Sequence, residues 1–346
     1  MSLVPMNLHC VLRFTFAILL ATLSVGSLTR TTSAQDATPA SEASPVPLEG
    51  DSAEIPALLA SCDSIFGVVI IDAMDRIVFE RNADVPFVSA SLYKLVLLAE
   101  TFTRLESGEL ALDQTVEIFP EYFGDGNGED SYFSYDVIGQ EITLEELIYS
   151  SGSYSSNVGA GGLLSLTSFD RLDQFAQELG LTSTRYRVGS DQIGDLYPGA
   201  DGGTGLEDLA RSVAFVGSFA GSTQVNITTP RDMATFFRLL RDDQLGSPLV
   251  SWRMKSVLTP KVITDRLPAL LPIDANVIHK TGNLEGVLHD AGIIESAEGS
   301  VIVVAMAQAV TDLDQTFAVE QRLGLFGYKL TFDQAPPDRQ PATPTS

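Results

Sequence analysis

The sequence predicts an α+β fold, in which an antiparallel five-stranded sheet is flanked by helices and an all-helical lobe is inserted between its strands. Three features indicate this fold. β-branched segments open the domain, β-branched segments close it, and helical patterns fill the middle. The strands follow one another through short turns without a β-α-β rhythm, and such hairpin connections make neighbouring strands antiparallel.

The predicted strands form a hairpin near the start and a meander near the end. Residues 67–72 are β-branched and are followed, after a polar turn, by residues 77–80, which is the pattern of a hairpin. The closing strands are predicted over 277–281, 287–294 and 300–307, with a tight turn at 296–299.

A helix is predicted from Ser89 to about Leu105, since its apolar residues cover most faces and Ser107-Gly108 supplies a stop. Such a helix should be buried. Further helices are predicted from Thr143 onward, over 168–179, from Thr229 onward, over 252–258 and over 314–325.

The two ends of the chain lack the patterns of a folded domain. Arg13 precedes an apolar run over residues 14–25 and a small, polar stretch that ends at Ala34, which is the layout of a signal peptide over 1–34. An uncleaved anchor is the alternative. Residues 35–54 and 335–346 have the composition of a disordered linker and tail. We therefore expect one domain, over 55–334. After removal of the signal peptide, the protein should be secreted or located in the periplasm or cell envelope.

The chain is strongly acidic, with 45 acidic residues against 21 basic ones and a net charge of -24. Such a surface repels nucleic acid, so a nucleic-acid partner is excluded. Signal removal would leave Cys62 as the single cysteine, so no internal disulfide is expected. We expect a monomer that needs no cofactor and no metal and has no membrane span in its mature form.

The first candidate for chemistry is Ser91-Leu92-Tyr93-Lys94, at the start of the buried helix. Residues three apart share a helix face, so the Ser91 hydroxyl and the Lys94 amine can meet. Burial lowers the pKa of a lysine, and a neutral amine can accept the serine proton. The Ser91 N–H, at a helix N-terminus, could stabilise an oxyanion. Alone, the spacing favours a capping serine and a lysine with a packed stem.

Two further motifs carry polar groups. Lys280-Thr281-Gly282 ends a predicted strand, where a lysine can hold a carboxylate and Gly282 lets a substrate lie close to the backbone. A solvated lysine is the alternative, but the chain has only five lysines and two fall in these motifs. In Ser155-Ser156-Asn157, a serine could relay a proton and the asparagine could hold an amide, although a serine-rich loop has the same composition.

In this order, the three motifs resemble the active-site serine family of penicillin-binding proteins and β-lactamases, and most of all class A β-lactamases. Thr229-Pro230-Arg231-Asp232 is similar to the helix opening that class A enzymes have before their last strands. The resemblance implies a β-lactam or a peptidoglycan stem peptide as substrate. It also implies a role for each motif residue. Ser91 would be the nucleophile, with Lys94 as its general base or a partner to the base, and Ser155 would shuttle a proton. Asn157 would position the substrate, Lys280 and Thr281 would bind its carboxylate, and the N–H groups of Ser91 and Asn283 would form the oxyanion hole.

Two departures from class A enzymes matter. The middle residue of the second motif, usually aspartate, is Ser156. Class A enzymes also have a Glu-x-x-Leu-Asn loop that directs water at the acyl-enzyme, and this motif is missing here. The only glutamates between the second motif and Pro230 are Glu178 and Glu207, and neither stands in that pattern. Asp191, Asp195 and Glu207 are the candidate substitutes. We therefore expect acylation with slow deacylation.

Other chemistries have less support. A Ser-His-Asp hydrolase would need His279 or His289, and the sequence has no Gly-x-Ser-x-Gly elbow. It also has no His-Glu-x-x-His zinc motif and no phosphate loop. Residues 125–130 resemble a calcium loop but lack its sixth-position glycine, which favours a solvated turn. A D,D-peptidase of the penicillin-binding type and a non-catalytic module that binds peptidoglycan fragments remain alternatives.

Overall fold

A five-stranded antiparallel sheet, the main sheet, organises the protein. The structure is a computed structural model that describes residues 54–123, 130–189, 192, 224–259 and 262–332, all within one unit over 43–346. The strands are β1 Ile65–Ile71, β2 Ile77–Arg81, β3 Phe87–Val88, β4 Thr115–Glu117, β5 Glu141–Thr143, β6 Arg185–Gly189, β7 Gln224–Thr228, β8 Asn276–Leu284, β9 Val287–Glu295 and β10 Ser300–Gln308. The main sheet has the order β2-β1-β10-β9-β8. The predicted fold class is confirmed.

The helices lie before, between and after these strands. They are α1 Glu54–Ala60, α2 Tyr93–Glu106, α3 Leu144–Ser153, α4 Asn157–Leu164, α5 Phe169–Glu178, α6 Pro230–Arg241, α7 Pro248–Leu258 and α8 Leu313–Phe332. Helices α2, α3, α5, α6, α7 and α8 were predicted, and α8 runs seven residues further than expected. Helices α1 and α4 were not predicted. No helix in the described ranges has the length and apolar character that a membrane span requires.

The first and last strands of the domain meet at the middle of the main sheet. β10 pairs with β1, where Ile65 lies opposite Gln308, and with β9, where Ser300 lies opposite Glu295. β8 is an edge strand and pairs with β9, with Lys280 opposite Ala291. The chain leaves the sheet after β2 and returns at β8, so the helical lobe is inserted between these two strands.

The core lies on both faces of the main sheet because side chains alternate along each strand. On β1, Phe66, Val68 and Ile70 belong to one buried cluster with α1 and α8, while Val69 and Ile71 belong to a larger cluster with α2 and α6. Burial of each such side chain stabilises the fold by about 1.5–3 kcal/mol relative to exposure. The larger cluster continues into the lobe, so sheet and lobe share one core.

Two small sheets also lie in the middle of the chain, where we expected helices alone. β4 pairs with β5, and a three-stranded sheet has the order β3-β7-β6. β6 includes Val188 and Gly189, which the sequence analysis did not recognise as strand. The β3–β7 pair matters most for function, because β3 leads directly into the backbone that carries Ser91.

Of the predicted segments outside the domain, only the last residue of the linker lies within the described residues. Glu54, the last residue of the expected linker, begins α1. The predicted signal peptide, the rest of the linker and the tail lie outside the described residues.

Candidate active site

The backbone just before Ser91 is held by three strands. The Val88 N–H donates to the Gln308 side-chain oxygen (2.9 Å) on β10, and the Ser89 N–H donates to the Asn226 carbonyl (2.8 Å) on β7. The Val88 carbonyl lies 2.7 Å from His289 Nε2 on β9. Ser91 follows in a short 3-10 turn, Ala90–Leu92, that continues into α2. The sheet therefore fixes where this hydroxyl lies.

Both histidines after the N-terminal segment have structural partners. Burial lowers the pKa of His289 to about 4, so its ring is neutral. Nδ1 lies 3.1 Å from the Ala307 nitrogen and 2.8 Å from the Leu288 carbonyl, and Nε2 lies 2.7 Å from the Val88 carbonyl, so both ring nitrogens have partners on β-strands. His279 pairs with Asp290 through Nδ1 at 2.8 Å. Neither histidine lines the cleft that contains Ser91, so a Ser-His-Asp arrangement gains no support.

Two residues that line this site have a left-handed backbone. Ala90, next to Ser91, has φ 44°, and Ser155 has φ 62°. Such conformations are costly for non-glycine residues and concentrate at functional sites. β8 packs tightly against the Ala90 turn, since a Cβ on Gly282 would lie 3.2 Å from both the Ala90 Cβ and the Ser89 carbonyl. This contact explains the glycine, whereas its expected role in making room for substrate stays a prediction.

Lys94 connects α2 to the second motif. Its side chain is fully buried, and its Nζ donates to the Ser155 carbonyl (2.6 Å) and to Asn157 Oδ1 (2.9 Å). These bonds cross from one helix to a segment 61 and 63 positions later. The structure thus brings the first two motifs into direct contact.

Lys280 joins the third motif to the same serine. Its Nζ donates to the Ser155 hydroxyl (2.7 Å) and to the Thr281 carbonyl (2.9 Å), and it is also buried. Ser155 therefore contacts one lysine through its carbonyl and the other through its hydroxyl. The three motifs meet at this residue.

Burial changes the protonation of both lysines. It lowers the pKa of Lys94 to about 7, against the opposing charge of Asp130. It also lowers the pKa of Lys280 well below its usual value, and the nearby charge of Lys94 lowers it further. Two buried amines that repel each other do not both stay charged at neutral pH. One neutral amine, able to act as a base, is thus available here.

An open cleft of about 500 Å³ lies over these residues. Of the predicted site residues, Ser91, Ser155, Asn157, Thr281 and Asn283 line it. Lys94 and Lys280 lie buried beneath and reach it through Ser155. A volume of this size is typical of small-ligand sites.

The comparison with known families agrees with this geometry. The sequence model of the beta-lactamase enzyme family matches residues 52–325, a span that includes all three motifs. The chain belongs to the β-lactamase enzyme family. It is also 23% identical over 251 residues to the β-lactamase regulatory protein BlaB of Streptomyces cacaoi, a match that covers 65% of this chain and 78% of BlaB.

Solved structures share the fold of this β-lactamase family member. A β-lactamase from Sphaerobacter thermophilus is 21% identical, with a TM-score of 0.66, over 83% of this chain and 98% of that one. A variant of PBP-A in an acyl-enzyme complex with penicillin G is 20% identical, with a TM-score of 0.66, over 84% of this chain and 99% of that one. Similarity at this identity shows the fold.

Asp130 is a residue of the site that the sequence analysis did not select. It lines the cleft beside the second motif, although residues 125–130 had been interpreted as a solvated turn. The hydrogen bonds that it accepts connect it to the start of α4. The sequence alone offered only the acidic run as a signal, and residues 124–129 lie outside the described part of the chain.

Within the part of the chain that the structure describes, no carboxylate is placed to activate water in this family member. Glu178 lies on α5, where it accepts from Arg171 (3.1 Å) and Gln174 (2.8 Å) and does not line the cleft. The candidates Asp191, Asp195 and Glu207 lie outside the described residues. Their role stays a prediction.

Proposed function

We propose that this chain is an exported serine hydrolase that opens β-lactam amides by forming an acyl-enzyme on Ser91 and then hydrolyses that intermediate slowly. The observation that carries the proposal is the double contact of Ser155 with Lys94 and Lys280, next to a cleft that Ser91 lines. This arrangement supports Lys94 as the base, Ser155 as the proton donor and Ser91 as the nucleophile.

Lys94 suits the role of base by chemistry and by contacts. A neutral amine has two N–H groups and one lone pair. Acceptors at Ser155 and Asn157 take both hydrogens, so the lone pair stays free for the Ser91 proton. The Ser91 oxygen would then attack the lactam carbonyl carbon, and the N–H groups of Ser91 and Asn283 would stabilise the oxyanion that forms.

Ser155 suits the role of proton donor to the leaving nitrogen. Its oxygen accepts from Lys280, so its own hydrogen remains available for donation. When the carbon–nitrogen bond breaks, the nitrogen takes this hydrogen, and Ser155 recovers one from the Lys94 ammonium formed in the first step. Water then cleaves the ester on Ser91 and releases the acid.

The substrate would carry a carboxylate close to its reacting amide. Thr281 lines the cleft next to Lys280, and a hydroxyl and an amine can both donate hydrogen bonds to such a group. β-Lactams and peptidoglycan stem peptides both have this chemistry. The PBP-A variant of the same fold is an acyl-enzyme complex with penicillin G, which supports a β-lactam as the acyl donor here.

Three measurements on the purified protein and its Ser91→Ala variant test the proposal. A chromogenic cephalosporin reports turnover, a fluorescent penicillin reports labelling, and intact mass after mixing with penicillin reports the covalent adduct. The proposal requires an adduct on the protein that is missing from the variant. A stable adduct with negligible turnover would favour a D,D-peptidase of the penicillin-binding type, and an unmodified mass would overturn the acyl-enzyme.

A second candidate function is regulation through binding without catalysis. The similarity to the β-lactamase regulatory protein BlaB favours it, and so does the absence of a glutamate from the cleft lining in the described ranges. Calorimetry with a stem pentapeptide and with penicillin distinguishes this candidate, which requires heat of binding without any change in mass.

Export is part of the proposal and rests on the N-terminal pattern alone. Expression of the full chain in a bacterial host, followed by N-terminal sequencing of the protein outside the cytoplasm, tests it. Cleavage after Ala34 is the expected result, and a full-length chain held in the membrane would favour the uncleaved anchor.

A further inference from the structure

The carboxylate of Asp130 lies at the N-terminus of α4 and is almost completely occupied by donors from the protein. Oδ1 accepts from the N–H groups of Asn157 (2.7 Å) and Val158 (3.2 Å). Oδ2 accepts from the Ser156 hydroxyl (2.8 Å) and from the N–H groups of Tyr132 and Phe133 (both 3.0 Å).

These bonds complete the capping of α4. The Ser156 hydroxyl accepts from the Gly159 N–H (2.8 Å) while it donates to Asp130. The first N–H groups of the helix, which have no partner within it, are therefore satisfied by two side chains from separate segments. Asp130 thus fixes the helix start, from which Asn157 extends to Lys94.

The same cap restrains Ser155, which directly precedes it. Ser155 has a left-handed backbone, and such a conformation persists only when its surroundings over-determine it. The Ser156 N–H donates to the Ser150 carbonyl (3.0 Å) on α3, and the Ser156 side chain is bound to Asp130. Ser155 is therefore held between α3 and the capped start of α4.

Asp130 also affects Lys94 through its charge. The groups around the Lys94 amine are Lys280 from β8, the neutral side chain of Asn157, Ser155, and the ring of Tyr93 on its own helix, 5.9 Å away. Burial lowers the pKa of the Lys94 amine, and the negative charge of Asp130 opposes this effect. Burial alone would raise the pKa of Asp130, but the bonds from Phe133 and Ser156 hold it below its usual value, so it stays ionised.

We infer that Asp130 is a positioning residue of this site, which caps α4, holds Ser155 and Asn157 against Lys94 and supplies a negative charge to the surroundings of the Lys94 amine. This inference rests on the proposed function for its effect on acylation. Its effect on Lys94 itself is independent of any substrate.

The test uses the full domain with Asp130→Asn, Asp130→Glu and the matched control Asp136→Asn. Asp136 is exposed on the same segment and lies away from the cleft lining. Protein labelled with ¹³Cε-lysine reports the titration of each lysine by NMR, and the five lysines keep the spectrum readable. In parallel, the rate of labelling by a fluorescent penicillin is followed from pH 5 to 9.

Loss of the Asp130 charge removes an interaction that favours the charged amine. The titration midpoint of Lys94 should therefore fall in Asp130→Asn, by about one pH unit, and remain in place in Asp136→Asn. The acylation rate should fall about 10- to 100-fold, and the rising limb of its pH profile should move to lower pH. Asp130→Glu, which keeps the charge, should retain the wild-type midpoint.

An unchanged Lys94 midpoint in Asp130→Asn overturns the inference, even if labelling is slower, because a purely structural role would slow labelling without moving the midpoint. If Asp130→Asn does not fold, Asp130→Glu decides, because the longer side chain keeps the charge but displaces the cap of α4. The inference then requires a Lys94 midpoint within half a unit of that in Asp136→Asn together with slower labelling, and a larger shift or an unchanged labelling rate overturns it. Absence of labelling in the wild-type protein would sink the proposed function alone, since the NMR titration still tests Asp130.

Discussion

The Nζ of Lys94 lies 2.6 Å from the carbonyl oxygen of Ser155, across 61 positions of sequence. This contact joins the start of α2 to the segment before α4, and it directs the lysine toward the cleft. Lys280 approaches the hydroxyl of the same serine from β8. The chemistry proposed for the site therefore depends on the placement of one strained serine between two buried amines.

Replacement of Lys94 by alanine should abolish acylation and leave the fold intact. Loss of a general base typically lowers a rate by about 10²- to 10⁴-fold. The fold should survive because removal of a buried amine also removes its desolvation cost. Labelling by fluorescent penicillin and unfolding followed by circular dichroism are the measurements. Lys255→Ala is the control, since Lys255 binds Asp243 (2.7 Å) away from the cleft, and a normal labelling rate in Lys94→Ala would exclude Lys94 from the mechanism.

The acylation rate should rise with pH through about 7. Burial lowers the pKa of Lys94 to about 7, and only the deprotonated amine can accept the Ser91 proton. Below pH 7 the amine is increasingly protonated and the rate should fall about tenfold per unit, whereas above pH 7 the rate should level off. Stopped-flow labelling between pH 5 and 9 checks this. A rate that is flat across this range would show that no titrating amine controls acylation.

Substitution of Ser155 should separate its backbone strain from its chemistry. Both Ser155→Ala and Ser155→Gly remove the hydroxyl that accepts from Lys280, so both should lose acylation or turnover by about 10²-fold or more. Glycine adopts φ 62° without penalty, so Ser155→Gly should be about 1 kcal/mol more stable than Ser155→Ala. Urea unfolding and penicillin labelling give the two quantities, and equal stability of the pair would argue against strain at this position.

Gly282 should be required for the position of Ser91. An alanine Cβ would lie 3.2 Å from both the Ala90 Cβ and the Ser89 carbonyl, so β8 or the turn must shift by a few tenths of an ångström. Small displacements of reacting groups are costly, and we expect acylation to slow by about 10-fold or more in Gly282→Ala. Gly299→Ala is the control, because its nearest contacts are at an ordinary 3.5 Å in the β9–β10 turn. Equal labelling rates in the two variants would contradict the prediction.

Much of the fold could be predicted because local sequence determines it. β-branched runs identified the strands of the main sheet, and Thr143, Ser168 and Thr229 each accept from an N–H three residues later, as helix caps do. Helix α4 escaped prediction because Gly159, Gly161 and Gly162 lower its intrinsic propensity. Its stability comes instead from tertiary contacts, since a Cβ at Gly159 would clash with the Ser150 hydroxyl.

The candidate site was predicted less completely than the fold, because some of its residues act through contacts with residues far away in the sequence. The motif serines and lysines could be found by residue type and spacing. Asp130 and His289 act through contacts 27 and 201 positions away, with Asn157 and Val88, and such contacts leave no local pattern in one sequence. Supporting residues of this kind become visible only once the strands and helices are placed.

The final prediction concerns the fate of the acyl-enzyme. Within the described residues, the carboxylates that line the cleft are Asp130, whose oxygens already accept five bonds, and Asp265, whose side chain is 55% exposed. Asp130 is not a suitable base for a water held at Ser91, because its hydrogen bonds hold its pKa below the usual value, whereas efficient general bases have a pKa near neutrality. Asp265 forms an ion pair with Arg266 (3.6 Å). Intact mass after mixing with penicillin should therefore show a rapid, stoichiometric adduct that decays over minutes or longer.

Ser91→Ala should show no adduct, which confirms the site of attachment. Fast consumption of the antibiotic without an accumulating adduct would contradict slow deacylation and would direct attention to Asp191, Asp195 and Glu207. Single changes to asparagine or glutamine at these three positions would then identify the base, since its loss alone should convert turnover into trapping.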